Sequence, residues 1–155
     1  MLRSHRSIAV VISLALCPAA LTAQAGTKYQ QAPTVQCYSL GPLTLRSLVD
    51  SAALGGPEVE MAELTFPPGW DASGEGHQHG HIEVLYVLSG RLGHVVNDTL
   101  HELGPGGVGI VRPGDRVRHR VLSAEPVRVL AVWGPAGELT QIRSAAQPTR
   151  CPETE

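Results

Sequence analysis

The sequence predicts an all-β fold, an antiparallel sandwich or barrel in one domain, on three observations. From Val35 onward the apolar residues recur at period two or in short continuous runs, not at the 3.6 spacing of helices. Turn residues punctuate these runs, with Gly 17 and Pro 12 in the chain and no collagen-like repeat. The length of 155 residues, without a long linker, suits one domain rather than two.

The strands follow in order. Leu43 to Val49 and Val59 to Phe66 are the first two expected, separated by Gly55-Gly56-Pro57, and Pro67-Pro68-Gly69 closes the second. Ile82 to Leu88 is nearly all apolar, as a strand covered on both faces would be. Ser89-Gly90 turns the chain into Arg91 to Val96, and Asn97-Asp98 forms a two-residue hairpin turn into Thr99 to Leu103. After Gly104-Pro105-Gly106-Gly107 come Val108 to Val111 and the break at Pro113-Gly114. Arg116 to Leu122 alternates strictly, with Val117, His119 and Val121 on one face and Arg116, Arg118 and Arg120 on the other. Val127 to Trp133 is the last strong strand, and no amphipathic helix is evident beyond a turn near the C-terminus.

The N-terminus reads as an export signal. Arg3 and Arg6 precede an apolar run, Pro18 interrupts it, and Ala23-Gln24-Ala25 supplies the small residues of a cleavage site after Ala25. A membrane anchor is the alternative, but Ile8 to Leu21 is 14 residues, short of the roughly 20 that cross a bilayer. Leu16-Cys17 fits a lipoprotein signal badly because of the bulky leucine. The expected compartment is therefore periplasmic or extracellular, with no stable membrane span after cleavage. Loss of Arg3 and Arg6 leaves 10 basic against 14 acidic residues, and even the whole chain carries a net charge of −2, so nucleic acid is an unsuitable partner. The mature chain keeps Cys37 and Cys151, which an oxidising compartment favours as a disulfide over two free thiols.

Six of the seven histidines lie after residue 76, three of them in Gly76-His77-Gln78-His79-Gly80-His81, with Glu83 following. On an extended chain His77, His79 and Glu83 share one parity and can converge, and imidazole with carboxylate suits Mn, Fe, Ni, Cu or Zn. His119, inward between two valines, needs a polar partner, because an unpaired buried polar group costs about 1–3 kcal/mol. A divalent transition metal held by His77, His79, Glu83 and His119 answers that need, with His81 the substitute by parity. A hydrogen-bonded core histidine and an exposed chelating loop are the bland alternatives. His94 and His101, in the two arms of the hairpin, are read as structural and outside the cluster.

Residues 69 to 90 resemble the first conserved motif of the cupin superfamily: His77-x-His79, three residues to Glu83, six to Gly90, with Glu83-Val84-Leu85-Tyr86-Val87-Leu88-Ser89-Gly90 close in wording. Gly69 departs, with seven residues between it and His77 where the family usually has five. Gly107, Pro113 and His119 resemble the second motif, although Pro113 and Gly114 are adjacent and Ser123 replaces its asparagine. The resemblance covers residues 43 to 133. It implies a small jelly-roll β-barrel, often a homodimer, with a metal in its mouth bound by three histidines and one glutamate and with open positions for ligand. It divides the chain into a signal peptide (1–25), an N-terminal extension (26–42), the barrel domain (43–143) and a C-terminal tail (144–155). Glu83 would bind the metal or serve as a base, and Leu85, Val87, Val129 and Trp133 would wall a dry pocket for a small-molecule substrate or ligand. The implied activities are a metal-dependent dioxygenase or a non-catalytic binding module for a small molecule or sugar, with metal storage or stability as a third reading.

Overall fold

The computed structural model describes residues 31, 35–72, 74 and 76–152. The expected signal peptide, 1–25, lies outside the described residues. Eleven strands form: β1 (Gln36–Leu40), β2 (Leu43–Val49), β3 (Glu60–Phe66), β4 (His77–Gln78), β5 (Ile82–Ser89), β6 (Leu92–Val96), β7 (Thr99–Leu103), β8 (Val108–Val111), β9 (Arg116–Val121), β10 (Val127–Gly134) and β11 (Gln147–Thr149). Every pairing is antiparallel, in a seven-stranded sheet ordered β11-β1-β2-β3-β10-β5-β8 and a four-stranded sheet ordered β4-β9-β6-β7. The inner residues alternate as the period-two pattern requires: Ala62, Leu64 and Phe66 of β3, Leu85 and Val87 of β5, and Val127, Val129, Ala131 and Trp133 of β10 are all buried. This is the all-β jelly-roll architecture expected.

The hairpin turn is as expected too. Asn97 and Asp98 take φ of 48° and 63°, the left-handed conformation that matches a two-residue turn to the twist of its strands. Gly90, at φ 77°, is enforced twice, since a Cβ there would also lie 2.6 Å from the Pro126 carbonyl oxygen.

The strands depart from expectation in two places. The run Ile82 to Leu88 is covered on one face only: Ile82, Tyr86 and Leu88 stay exposed, as do Val108 and Ile110 of the neighbouring edge strand β8. Segments assigned to an extension and a tail enter the sheet as β1 and β11, with Cys37 facing Thr149 across the ladder. The expected Cys37–Cys151 disulfide forms just beyond that register, its Cα atoms 5.1 Å apart across a sequence separation of 114.

Two helices also appear. α1 (Ser51–Leu54) is a single turn capped by Asp50, whose carboxylate accepts from the Ala53 amide at 2.9 Å. α2 (Glu138–Ala145) went unseen in the sequence because its N-cap is Gly137, which has no side chain to signal a helix start. A distant residue supplies the cap: Glu60 of β3 accepts from the amides of Gly137 and Leu139 at 2.9 and 2.8 Å. Arg143 donates to Asp50 at 3.0 Å and anchors the far end. Among the described residues no helix is long and apolar enough to cross a membrane.

Candidate metal centre and ligand cavity

The inner face of the smaller sheet carries a row of imidazoles. Strand register places His94 of β6 opposite both His101 of β7 and His119 of β9. The rings of His94 and His119 stack at 5.2 Å with 10° between their planes. Glu83 enters from β5 of the other sheet, and its carboxylate meets these two rings: one ligand atom each from Glu83, His94 and His119 falls within 4.8 Å of the others. All three residues are buried. His94 is therefore part of the cluster, against the expectation that it was merely structural. Its flanking residues, Leu92 and Val96, give the same inward signal that singled out His119 between valines.

The loop histidines approach the same place. The His77 ring stands 5.6 Å from that of His119 and 4.6 Å from that of His79. His79 is buried between two carboxylates, with Nε2 at 3.3 Å from Glu83 Oε2 and Nδ1 at 3.0 Å from Glu138 Oε1. Both are ion-pair contacts by distance without the alignment of hydrogen bonds. Glu138, on the first turn of α2, was missed with its helix. His81 turns instead toward Gly137, where an added Cβ would lie 3.1 Å from its Nε2, and does not line the cavity. His101 stays on the exposed flank of the row, in a separate 230 Å³ slot between β7 and β8.

The electrostatics match the donor types. Burial lowers the pKa of His119 to about 3, against the pull of Glu83. Burial likewise lowers those of His94 and His77, the latter although its side chain is exposed at the cavity rim. These rings are thus neutral at pH 7 and keep a lone pair to donate. His79 behaves otherwise: burial pulls its pKa down, but Glu138 and Glu83 prevail and raise it to about 9. For Glu83, burial raises the pKa, yet His79 and then His119 outweigh it and hold the carboxyl below its ordinary value. Trp133 fixes the orientation of that carboxylate, its Nε1–H donating to Oε1 at 3.0 Å.

The residues fit a metal. Glu83 Oε2, His94 Nε2 and His119 Nε2 are buried without a hydrogen-bond partner, whereas buried polar atoms are nearly always paired. Two imidazole nitrogens and one carboxylate oxygen are a transition-metal donor set. The 3.3 Å between His79 Nε2 and Glu83 Oε2 is also close to the spacing that bonds of about 2.0–2.2 Å impose on neighbouring ligands. His79 then has the second carboxylate, Glu138, behind it, in the usual arrangement of a ligating histidine.

A cavity of about 530 Å³ opens beside the cluster, in the size range of small-molecule sites. Trp133 lines it, as expected, but Leu85, Val87 and Val129 do not, because they are sealed in the core. Its apolar wall comes instead from Leu43, Leu64, Phe66, Trp70 and Ile142.

Comparison with known proteins agrees with this architecture. Residues 62–133 match the Cupin_2 family model, a cupin domain. The L-ectoine synthases of Rhodococcus opacus and Rhodococcus jostii are each 33% identical over 86 residues, covering 53% of this chain and 62% of theirs, so the chain spans about three fifths of the length of these curated relatives. Among solved structures, KdgF from a Halomonas species superposes with a TM-score of 0.57 at 16% identity, covering 67% of this chain and 89% of that one. An RmlC-like cupin from Shewanella frigidimarina gives 0.55 at 21%, covering 72% and 99%. A predicted oxalate decarboxylase from Thermotoga maritima gives 0.57 at 20%, covering 66% and 92%. The motif spacing around His77, His79 and Glu83, the two antiparallel sheets and the matched domain agree: the chain belongs to the cupin superfamily.

Proposed function

We propose that this cupin is exported and binds a divalent transition metal among Glu83, His94 and His119, with His79 and His77 completing the set from the loop. In this reading it acts on a small organic substrate as a metal-dependent oxidoreductase of the dioxygenase type. The observation that carries the reading is the buried trio of donor atoms without hydrogen-bond partners on Glu83, His94 and His119, of which Glu83 and His119 line a 530 Å³ cavity. When bound, the metal would supply Lewis acidity toward a substrate oxygen and access to dioxygen chemistry. The chain's own part is to keep His94 and His119 neutral by burial, to orient Glu83 through Trp133 and His79 through Glu138, and to exclude water with the wall from Leu43 to Ile142.

The disulfide supports export, since such bonds persist in oxidising compartments. A chain that loads its metal there meets the preference of N and O sites for Cu and Zn over Mn and Fe. A non-catalytic binding module is the second reading. It is favoured by Glu83, the only carboxylate in the unpartnered trio, being held on one oxygen by Trp133 and faced on the other by His79, which leaves it poorly placed as a free base.

Elemental analysis of purified protein tests the metal. About one equivalent of a single transition metal is expected, falling roughly tenfold or more in Glu83→Gln and His119→Ala, as loss of a ligand or its support typically does. Full retention in both variants would defeat the reading. Oxygen uptake with phenolic and dicarbonyl substrates then separates enzyme from binding module: metal-dependent consumption supports the first, and ligand binding without consumption the second.

A further inference from the structure

The cavity has a charge character of its own. Glu83 and Glu138 line it, and among the described residues no lysine or arginine does. The arginines adjacent in sequence to its lining residues are paired elsewhere: Arg118 with Asp98 at 3.2 Å, Arg120 with Asp71 at 3.0 Å and Arg143 with Asp50 at 3.0 Å. His79 stands between the two carboxylates and offers at most one positive charge against their two. An entering carboxylate or phosphate would find no fixed cationic fork to receive it. This charge character belongs to the metal-free cavity, since a bound divalent ion would offset both carboxylates.

A cation meets the opposite circumstances. The Glu138 side chain is 9% exposed, so its charge is poorly screened by water. Phe66 and Trp70, with ring centroids 5.0 Å apart, line the same space, and aromatic rings attract ammonium groups. The remaining wall is apolar and suits a ring or short hydrocarbon body. Glu138 is itself held firmly, since Glu60 caps the start of α2 and Asp50 holds Arg143 near its end.

We infer that the cavity selects a small organic cation, an ammonium group on a ring-sized apolar body, with Glu138 as its counter-charge, and rejects carboxylates and phosphates of equal size. This rests on the proposed ligand cavity beside a metal and adds the class of molecule it takes.

Phenethylamine, phenethyl alcohol and hydrocinnamate share a ring and differ in charge. Each is titrated calorimetrically at neutral pH into wild-type protein with and without added zinc, and into Glu138→Gln. Phenethylamine is expected to bind metal-free wild type at least about tenfold more tightly than hydrocinnamate, zinc to shrink that preference, and Glu138→Gln to bring phenethylamine within about threefold of the alcohol. Equal or tighter binding of hydrocinnamate by the metal-free form, an unchanged ammonium preference in the variant, or no binding by any of the three overturns the inference. Should Glu138→Gln not fold, the wild-type preference is measured at low and high salt, and a preference that does not shrink with salt overturns it. Protein that takes up no zinc yet prefers the ammonium keeps the inference and removes the metal reading. Protein that takes up zinc but in its metal-free form prefers hydrocinnamate does the reverse.

Discussion

Gly109 is where the cluster can be tested without touching a ligand. A Cβ at this position would lie 2.5 Å from His94 Nδ1, 2.9 Å from its Cε1 and 3.1 Å from Leu103 Cδ1. Carbon contacts settle near 3.5–4.0 Å, so in Gly109→Ala the His94 ring has to retreat by about 1 Å. His119, stacked on the ring at 5.2 Å, blocks one direction of retreat, and the 230 Å³ slot that His94 lines leaves another. Overpacking of this kind costs about 1–3 kcal/mol, and since β8 is an edge strand able to shift slightly, the lower half of that range is expected. In a His94→Ala background the ring is gone, and Gly109→Ala should cost less than about 0.5 kcal/mol, as for uncoupled sites. Urea unfolding of the four metal-free proteins gives the coupling directly. Equal costs in the two backgrounds would show that His94 is not wedged against Gly109, and its place beside Glu83 and His119 would fall with it.

Four further outcomes follow from the same contacts. Trp133→Phe removes the donor to Glu83 Oε1 and should weaken zinc binding about 10–100-fold in a competition titration; unchanged affinity would sink the orienting role. Replacing Cys37 and Cys151 by serine should lower unfolding free energy by up to about 4–5 kcal/mol, the loop-entropy limit for a separation of 114 residues, measured in denaturant. The Ala53 amide, then Arg143, holds the Asp50 carboxyl below its ordinary 3.8, so its contribution is present above that value and lost as pH falls through the depressed one. The stability gap between wild type and Asp50→Asn should accordingly be flat near neutrality and close in acid, and a gap that widened in acid would contradict the sign. Zinc at a hundred times its Kd adds about 2.7 kcal/mol, or roughly 10 °C in Tm; an equal shift in Glu83→Gln would point to the exposed histidines, His77 and His101.

The fold was legible because its signals are local. Strand boundaries from Leu43 to Val111 follow from period-two runs and from turn residues whose backbone conformation is forced, such as Asn97-Asp98 and Gly90. Glu83 was legible from the parity it shares with His77 and His79, and His119 as a polar residue at an inward position. The same rule applied to His94 would have found it too, since Leu92 and Val96 flank it just as Val117 and Val121 flank His119. What escaped was information that exists only across the fold. α2 is capped by Glu60, 77 residues before Gly137, so no local pattern announces it, and Glu138 was missed with it. The outer face of β5 was misread because a continuous apolar run looks the same whether or not a second layer covers it.

The cluster is a poor way to fill a barrel. A leucine at position 119 would occupy the space between Val117 and Val121 and leave no orphaned nitrogen. The two orphaned imidazole nitrogens of His94 and His119 instead cost about 1–3 kcal/mol each, a large share of the roughly 5–15 kcal/mol by which whole domains are stable. Such a sum is tolerable only if the surroundings are overdetermined, and here they are. A disulfide ties β1 to the end of the chain, α2 is pinned by Glu60 and Asp50, and Trp133 anchors the one carboxylate of the trio. Of these, Trp133 acts directly on Glu83, while His94 and His119 hold each other by stacking, so the trio is in place before anything binds. Preorganisation of this kind is what a metal site needs. Nothing in the packing of an inert barrel calls for it.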